Sequence, residues 1–231
     1  MNDIAVKRRD LLAGTPLFAS IEIGLLTELA DRVSLVKIAA HESLFQKGDP
    51  GERMYVVVSG LIRVGAISPE GREVTYGMLG PGELLGEIAV LDGGERSADA
   101  TAMEDSQLLA LERRDVLAFL DHHPGQAVKL MKVLCQRIRR ADALLEDVVF
   151  LSLPSRLAKH LLALAATKGA QHAASYEIRL SQQEIAEHLG ISRESVNKVL
   201  SKWEEGGLVS LGRGRIVLNN KVALQDVASP P

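Results

Sequence analysis

A single cysteine, Cys135, in 231 residues leaves no intramolecular disulfide framework and points to a reducing compartment. Nor can one cysteine supply an iron–sulfur cluster held by four thiolates of the same chain. No apolar run approaches the length of a membrane span, and the opening MNDIAVKRRDLL lacks the apolar core of a signal peptide. A cytoplasmic chain with no membrane partner is expected. Low-complexity tracts and long internal repeats are also missing. No histidine–carboxylate cluster has metal-ligand spacing, and no Ser/His/Asp set is anchored to a strand-turn-helix context. The expectation is a protein that is not an enzyme and holds no metal.

What is present reads as two modest domains, since 46% apolar content with mixed charge is globular. The net charge of −3 is unevenly spread. Residues 154–231 carry ten lysines and arginines against seven acids, and residues 1–153 carry 17 against 23. A basic tail on an acidic body suits contact with nucleic acid, although so small an excess is a weak field by itself.

Within that tail, SQQEIAEHLGISRESVNKVLSKW predicts two short helices joined at Gly190. Ser181 and Glu184 have capping-box spacing, and Ser192 is placed to cap the second helix. Ile185, Leu189, Ile191, Val196, Val199 and Leu200 form the apolar face, and small Ala186 permits a close crossing. Arg193, Glu194 and Lys198 then project from the second helix, where a recognition helix presents side chains to base edges. An ordinary helical hairpin would share these signals. The ending EEGGLVSLGRGRIVL separates the two readings, because a β-hairpin tipped with Arg213 and Arg215 is a basic wing suited to phosphate contacts. Double-stranded DNA is the expected partner. Gln182, Gln183, Ser192 and Ser195, with Ser181, are candidates for phosphate positioning, and are equally explained as caps or exposed polar residues.

From Val33 to about Leu111 short β-rich runs alternate with glycine turns, predicting a small barrel or sandwich. Tyr55–Val58 and Leu61–Val64 flank Ser59-Gly60, which reads as a two-residue hairpin. Further turns are expected at Lys47-Gly48-Asp49, Pro69-Glu70-Gly71 and Gly80-Pro81-Gly82. Pro124 opens a long helix on which Ala127, Met131, Leu134, Ile138, Ala141, Leu145 and Val148 recur at alternating intervals of four and three. That seam predicts a parallel two-stranded coiled coil and a homodimer, with Pro154 ending the helix in a hinge, Leu153-Pro154-Ser155. The expected division is 1–123, 124–153 and 154–231.

The segment LLGEIAVLDGGERSADA combines phosphate-binding chemistry in one loop. Gly86 permits close backbone approach, Arg96 offers a charged fork, Ser97 a hydroxyl, and Glu87 an acceptor for a ribose hydroxyl. GEIAVLDGGERSA closely resembles the phosphate-binding cassette of the family of the cyclic AMP receptor protein and its fumarate–nitrate relatives. FLSLPSRLAKHLLALA resembles that family's hinge and following helix, and LSQQEIAEHLGISRESVNKVL its DNA-reading unit. The resemblance covers nearly the whole chain. It implies an α+β fold: an N-terminal β-roll (a double-stranded β-helix), a long dimerisation helix and a C-terminal winged helix-turn-helix. It further implies that Gly86, Glu87, Ile88, Arg96 and Ser97 hold the ribose and cyclic phosphate, that Arg193, Glu194 and Lys198 read bases, and that RNA polymerase is a partner.

One departure bears on the effector. Where the cyclic AMP receptor presents a threonine and a serine to adenine, this chain has Ala141 and Asp142. Alanine cannot bond the base. Asp142 could accept from the guanine edge, or simply pair with Arg139 or Arg140 in solvent. Cyclic AMP remains the first expectation and cyclic GMP the second, with a ligand-independent regulator, or a cyclic-nucleotide sensor subunit acting on a protein partner without touching DNA, also open. Some relatives bind haem or an iron–sulfur cluster; the lone cysteine argues against the cluster, and no histidine, His41 included, matches a haem ligand position. His122, His123, His160, His172 and His188 read as surface or helix-capping residues.

Overall fold

Strands that bury both of their faces organise the N-terminal part. The computed structural model describes residues 3–15, 18, 22–68, 73–168, 170–172 and 175–229. Helices α1 (Asp3–Ala13) and α2 (Ile23–Asp31) precede β1 (Ser34–Ile38), β2 (Ser43–Phe45), β3 (Arg53–Ser59), β4 (Ile62–Ile67), β5 (Glu73–Leu79) and β6 (Leu84–Leu85). A short helix, α3 (Glu87–Asp92), leads to β7 (Asp99–Ala102) and β8 (Ser106–Glu112). Then come α4 (Arg113–His122) and the 27-residue α5 (Pro124–Phe150). The chain divides into two compact units, Met1–Ile67 with Thr75–Gln136 and Ser68–Val74 with Arg137–Pro231, so the division falls within α5.

In the first unit the strands form two four-stranded sheets, ordered β1-β8-β3-β6 and β2-β7-β4-β5. Tyr55 and Val57 of β3, opposite Ala110 and Leu108 of β8, face the second sheet and meet Ile62, Ala100 and Ala102. The intervening residues, Met54 and Val56 with Leu111 and Leu109, turn the other way. There they pack with Leu26 and Leu29 of α2, Val116 of α4 and Leu130 of α5. Period-two alternation with both sets apolar is how a central strand buries two faces. Each fully buried aliphatic side chain contributes about 1.5–3 kcal/mol.

The hairpin expected at Ser59-Gly60 does not form. β3 and β4 belong to different sheets, and the two residues make a corner between them. Gly60 has φ 92°, and a Cβ there would stand 2.1 Å from Ser106 Oγ, so the corner admits only glycine. The turns at Lys47-Gly48 and Pro81-Gly82 are present, and Pro69-Glu70-Gly71 lies outside the described residues.

The hinge also differs from expectation. α5 ends at Phe150, and Pro154 is the second residue of α6 (Leu153–Lys168) rather than its predecessor's terminator. Ser152 caps α6, accepting from Ser155 N at 3.3 Å, and proline is tolerated in a first turn because its missing N–H has no intrahelical acceptor. The break is therefore at Leu151-Ser152. After α6 follow β9 (Ala170–His172), β10 (Ser175–Ile178), α7 (Gln182–Leu189), α8 (Arg193–Glu205), β11 (Val209–Gly212), β12 (Arg215–Leu218) and α9 (Lys221–Ala228). The antiparallel sheet β11-β12-β10-β9 and the helices share a core of Leu157, Leu161, Ile185, Val196, Leu200, Trp203, Ile216 and Leu218.

Candidate ligand and nucleic-acid sites

Arg96 is held by its backbone before its side chain is considered. Its N–H donates to Asp49 O and its carbonyl accepts from Gly48 N, both at 2.9 Å, which ties the end of the glycine-rich loop to the 48–49 turn. The side chain runs inward and is 5% exposed. Nη1 donates to Gly86 O at 2.9 Å, and the guanidinium lies over the Phe45 ring, 4.3 Å from its centroid. Nε is buried with no hydrogen-bond partner. Burial pulls the guanidinium below the usual arginine range, opposed by the charges of Asp49, Glu87 and Glu52. No carboxylate lies within ion-pair distance of Arg96 among the described residues. A buried cation with an unused donor and no carboxylate in direct contact is costly, and a bound anion would take up that donor.

Gly86 forms the other wall. It takes the left-handed conformation at the start of α3, with φ 75°. Glu87, the first residue of α3, is 1% exposed. Ser97 and Ile88 are exposed. The structure thus brings Gly86, Glu87 and Arg96 together, with Ile88 and Ser97 beside them in the same loop and helix. Phe45 was not among the sequence candidates. It lies 51 residues from Arg96 and joins the site only through the pairing of β2 with β7, so no local pattern marks it.

Ala141 and Asp142 lie on α5, both exposed. Asp142 makes no ion pair with Arg139 or Arg140. Met131, Ile138, Leu145 and Val148 of the expected seam are 53–63% exposed, Ala141 is exposed, and Ala127 and Leu134 are half-buried. Within this single chain the seam is largely uncovered.

In the second unit the capping box is complete: Glu184 N donates to Ser181 Oγ at 3.2 Å and Ser181 N to Glu184 Oε2 at 2.7 Å. Ser192 caps α8, accepting from Ser195 N at 3.1 Å, and the two hydroxyls of this pair meet at 2.8 Å. Gln183 donates to Glu187 at 2.9 Å, while Gln182 is half-buried at the start of α7. Arg193, Glu194 and Lys198 are all exposed on α8, and so is Asn197. Asn197 shares their face, at four residues from Arg193 and three from Glu194, and that spacing could have found it. Arg213 stands exposed at the β11–β12 turn; Arg215 reaches Glu177 at 3.6 Å.

Two of the histidines read as surface or helix-capping residues are half-buried, one of them in the last turn of α7. His160 of α6 and His188 of α7 approach edge to face, with Nε2 and Nδ1 3.1 Å apart. Four residues before His160, Arg156 donates to Leu189 O at 2.8 Å, satisfying a carbonyl at the end of α7. The side chain of His172 lies outside the described residues. Among the described residues no group of three or more His, Cys, Asp or Glu could hold a metal ion, and no helix is long and apolar enough to cross a membrane.

A family model for the cyclic nucleotide-binding domain matches residues 35–123, and one for the Crp-like helix-turn-helix domain matches residues 155–227. The CRP-like cAMP-activated global transcriptional regulator of Mycobacterium tuberculosis is 32% identical over 211 residues, covering 90% of this chain and 94% of that protein. The cyclic AMP receptor protein of Thermus thermophilus is 38% identical over 185 residues, covering 80% and 83%. Among solved structures, the Thermus thermophilus catabolite activator protein aligns with a TM-score of 0.55 at 34% identity, over 93% of this chain and 98% of that one. The c-di-GMP responsive regulator CLP of Xanthomonas campestris aligns with a TM-score of 0.78 over 86% and 100%; at 22% identity this likeness concerns the fold alone.

Proposed function

The chain belongs to the Crp-like family of cyclic-nucleotide-binding transcription regulators, and from that premise we propose a homodimer whose affinity for palindromic DNA is set by a cyclic nucleotide. The observation that carries this reading is Arg96, buried, with Nε unpartnered and no carboxylate at ion-pair distance among the described residues. A singly charged cyclic phosphate would supply acceptors for the unused donor, and Glu87 is assigned to a ribose hydroxyl. Gly86, Ile88 and Ser97 complete the proposed contact set. Residues 1–123 are assigned to the effector, 124–153 to dimerisation and 154–231 to DNA.

Cyclic AMP is the first choice, supported by the names of the relatives at 32% and 38% identity. Cyclic GMP is the second, because Ala141 offers no bond to a base while Asp142 is exposed and could accept from guanine N–H groups. The uncovered seam Met131, Leu134, Ile138, Ala141, Leu145 and Val148 is assigned to a second copy in parallel. A two-fold dimer places two α8 helices on half-sites about one helical turn apart. Arg193 is suited to guanine O6 and N7, Glu194 to cytosine N4, and Lys198 to a guanine or phosphate. Asn197 adds a group suited to adenine. Arg213, Arg215, Ser181, Gln182, Gln183 and Ser192 are assigned to phosphates, and RNA polymerase to the role of protein partner. The effector can work only through a difference in its affinity for two arrangements of the chain.

Binding to a fluorescent palindromic duplex, read by anisotropy without nucleotide and with cyclic AMP or cyclic GMP, tests the proposal. Nucleotide-dependent binding of two protomers per duplex is expected, and Arg193→Ala should relax discrimination at one G·C pair by about 1–3 kcal/mol. Binding indifferent to both nucleotides would support a ligand-independent regulator instead.

A further inference from the structure

Aromatic residues are scarce in this chain, with 4 Phe, 3 Tyr and 1 Trp, yet two of them stand beneath one arginine. The Arg96 guanidinium lies 4.3 Å from the Phe45 ring centroid and 5.8 Å from that of Tyr55. The two rings are themselves stacked, 6.1 Å apart at 26°. Phe45 comes from β2 of one sheet and Tyr55 from β3 of the other, so the platform bridges both sheets of the roll.

A single hydrogen bond, Nη1 to Gly86 O, fixes one atom of a planar group and leaves its plane free to turn. A ring face fixes the plane. The backbone bonds of Arg96 with Gly48 and Asp49 set where the side chain starts, Gly86 O sets where one nitrogen ends, and the aromatic face sets how the fork is turned. Without the ring, a buried guanidinium that pairs with no carboxylate would reorient towards solvent or towards the nearby acids Asp49, Glu52 and Glu87. We propose that Phe45, backed by Tyr55, is a positioning residue that holds the unused N–H edge of Arg96 in the orientation that takes an anionic phosphate. This inference rests on the cyclic-nucleotide reading of the same site. An arginine is suited to this arrangement where a lysine is not, because only a flat, delocalised cation can stack on a ring and keep its in-plane donors free.

The test pairs Phe45→Leu and Phe45→Met, which keep an apolar side chain without a ring, with Phe45→Tyr, which keeps the ring. Calorimetric affinity for cyclic AMP and the Arg96 Nε–H resonance are measured in each full-length protein, with ligand-free melting as a control. The ringless variants should melt within a few degrees of the parent, bind cyclic AMP about ten- to thirtyfold more weakly, and lose the ring-current shift of the Arg96 signal. Phe45→Tyr should keep the affinity and the shift. Ringless variants binding within twofold of the parent, or an unmoved Arg96 signal, would overturn the proposal. So would a Phe45→Tyr loss as large as that of leucine. If the parent itself bound neither cyclic AMP nor cyclic GMP, the reading of the site would fail first and this inference with it.

Discussion

Gly86 joins two constraints at one position. Its φ of 75° lies where side chains are strained, and a Cβ would stand 2.6 Å from Arg96 Nη1 and 3.1 Å from Arg53 O. Gly86→Ala should therefore destabilise the protein by about 1–3 kcal/mol and also displace the guanidinium. Urea unfolding checks the first effect and nucleotide titration the second; an alanine variant unchanged in both would show that the loop relaxes freely. Gly86, Glu87 and Arg96 were legible in the sequence because one short loop carries all three. Phe45 was not, because a strand pairing brings it in from a distant segment that has no chemistry of its own. Asn197 was legible in principle, since helical spacing alone sets it beside Arg193 and Glu194.

At the scale of elements, helices were easier to read than strand partners. The capping box of α7, the cap of α8 and the start of α5 at Pro124 follow from local bonds and appear as expected. The Ser59-Gly60 corner did not, because a turn sequence specifies a reversal and not which sheet the next strand joins. Pro154 misled for a related reason: proline is compatible with both the end of one helix and the first turn of the next, and Ser152 decides between them. The contact of α6 with α7 was also hidden, and it has a pH signature. Burial, with His188 alongside, pulls the His160 imidazole down to about 4 from 6.5. Above about pH 6.5 both folded and unfolded chains carry it neutral, so it contributes no pH dependence there. As pH falls from 6.5 towards 4 the unfolded chain binds the extra proton and stability is lost, by about 1–3 kcal/mol after allowing for partial exposure. The stability gap between the parent and His160→Leu should accordingly narrow across that window in urea titrations. A gap that stayed constant from pH 7 to pH 4 would contradict the buried neutral state.

For the molecule as a whole, composition and turn spacing anticipated two domains, a small barrel or sandwich followed in sequence by a long helix and a winged helix-turn-helix, and the family resemblance named the first as a β-roll. The four-three seam read on that helix is largely uncovered within the single chain. Ile138 and Leu145 are 60% and 63% exposed, apolar surface that the proposed second copy would cover. The identity of the base is the least legible feature, since Ala141 and Asp142 depart from the pattern that would specify adenine. The proposed function turns on the buried Arg96 taking a cyclic phosphate. Calorimetric titration of the full chain with cyclic AMP and, separately, cyclic GMP, repeated on Arg96→Ala, tests it most directly. One nucleotide bound per protomer is expected, with an affinity about thirtyfold or more weaker in the variant. No binding of either nucleotide to the parent, or equal binding by Arg96→Ala, would contradict it.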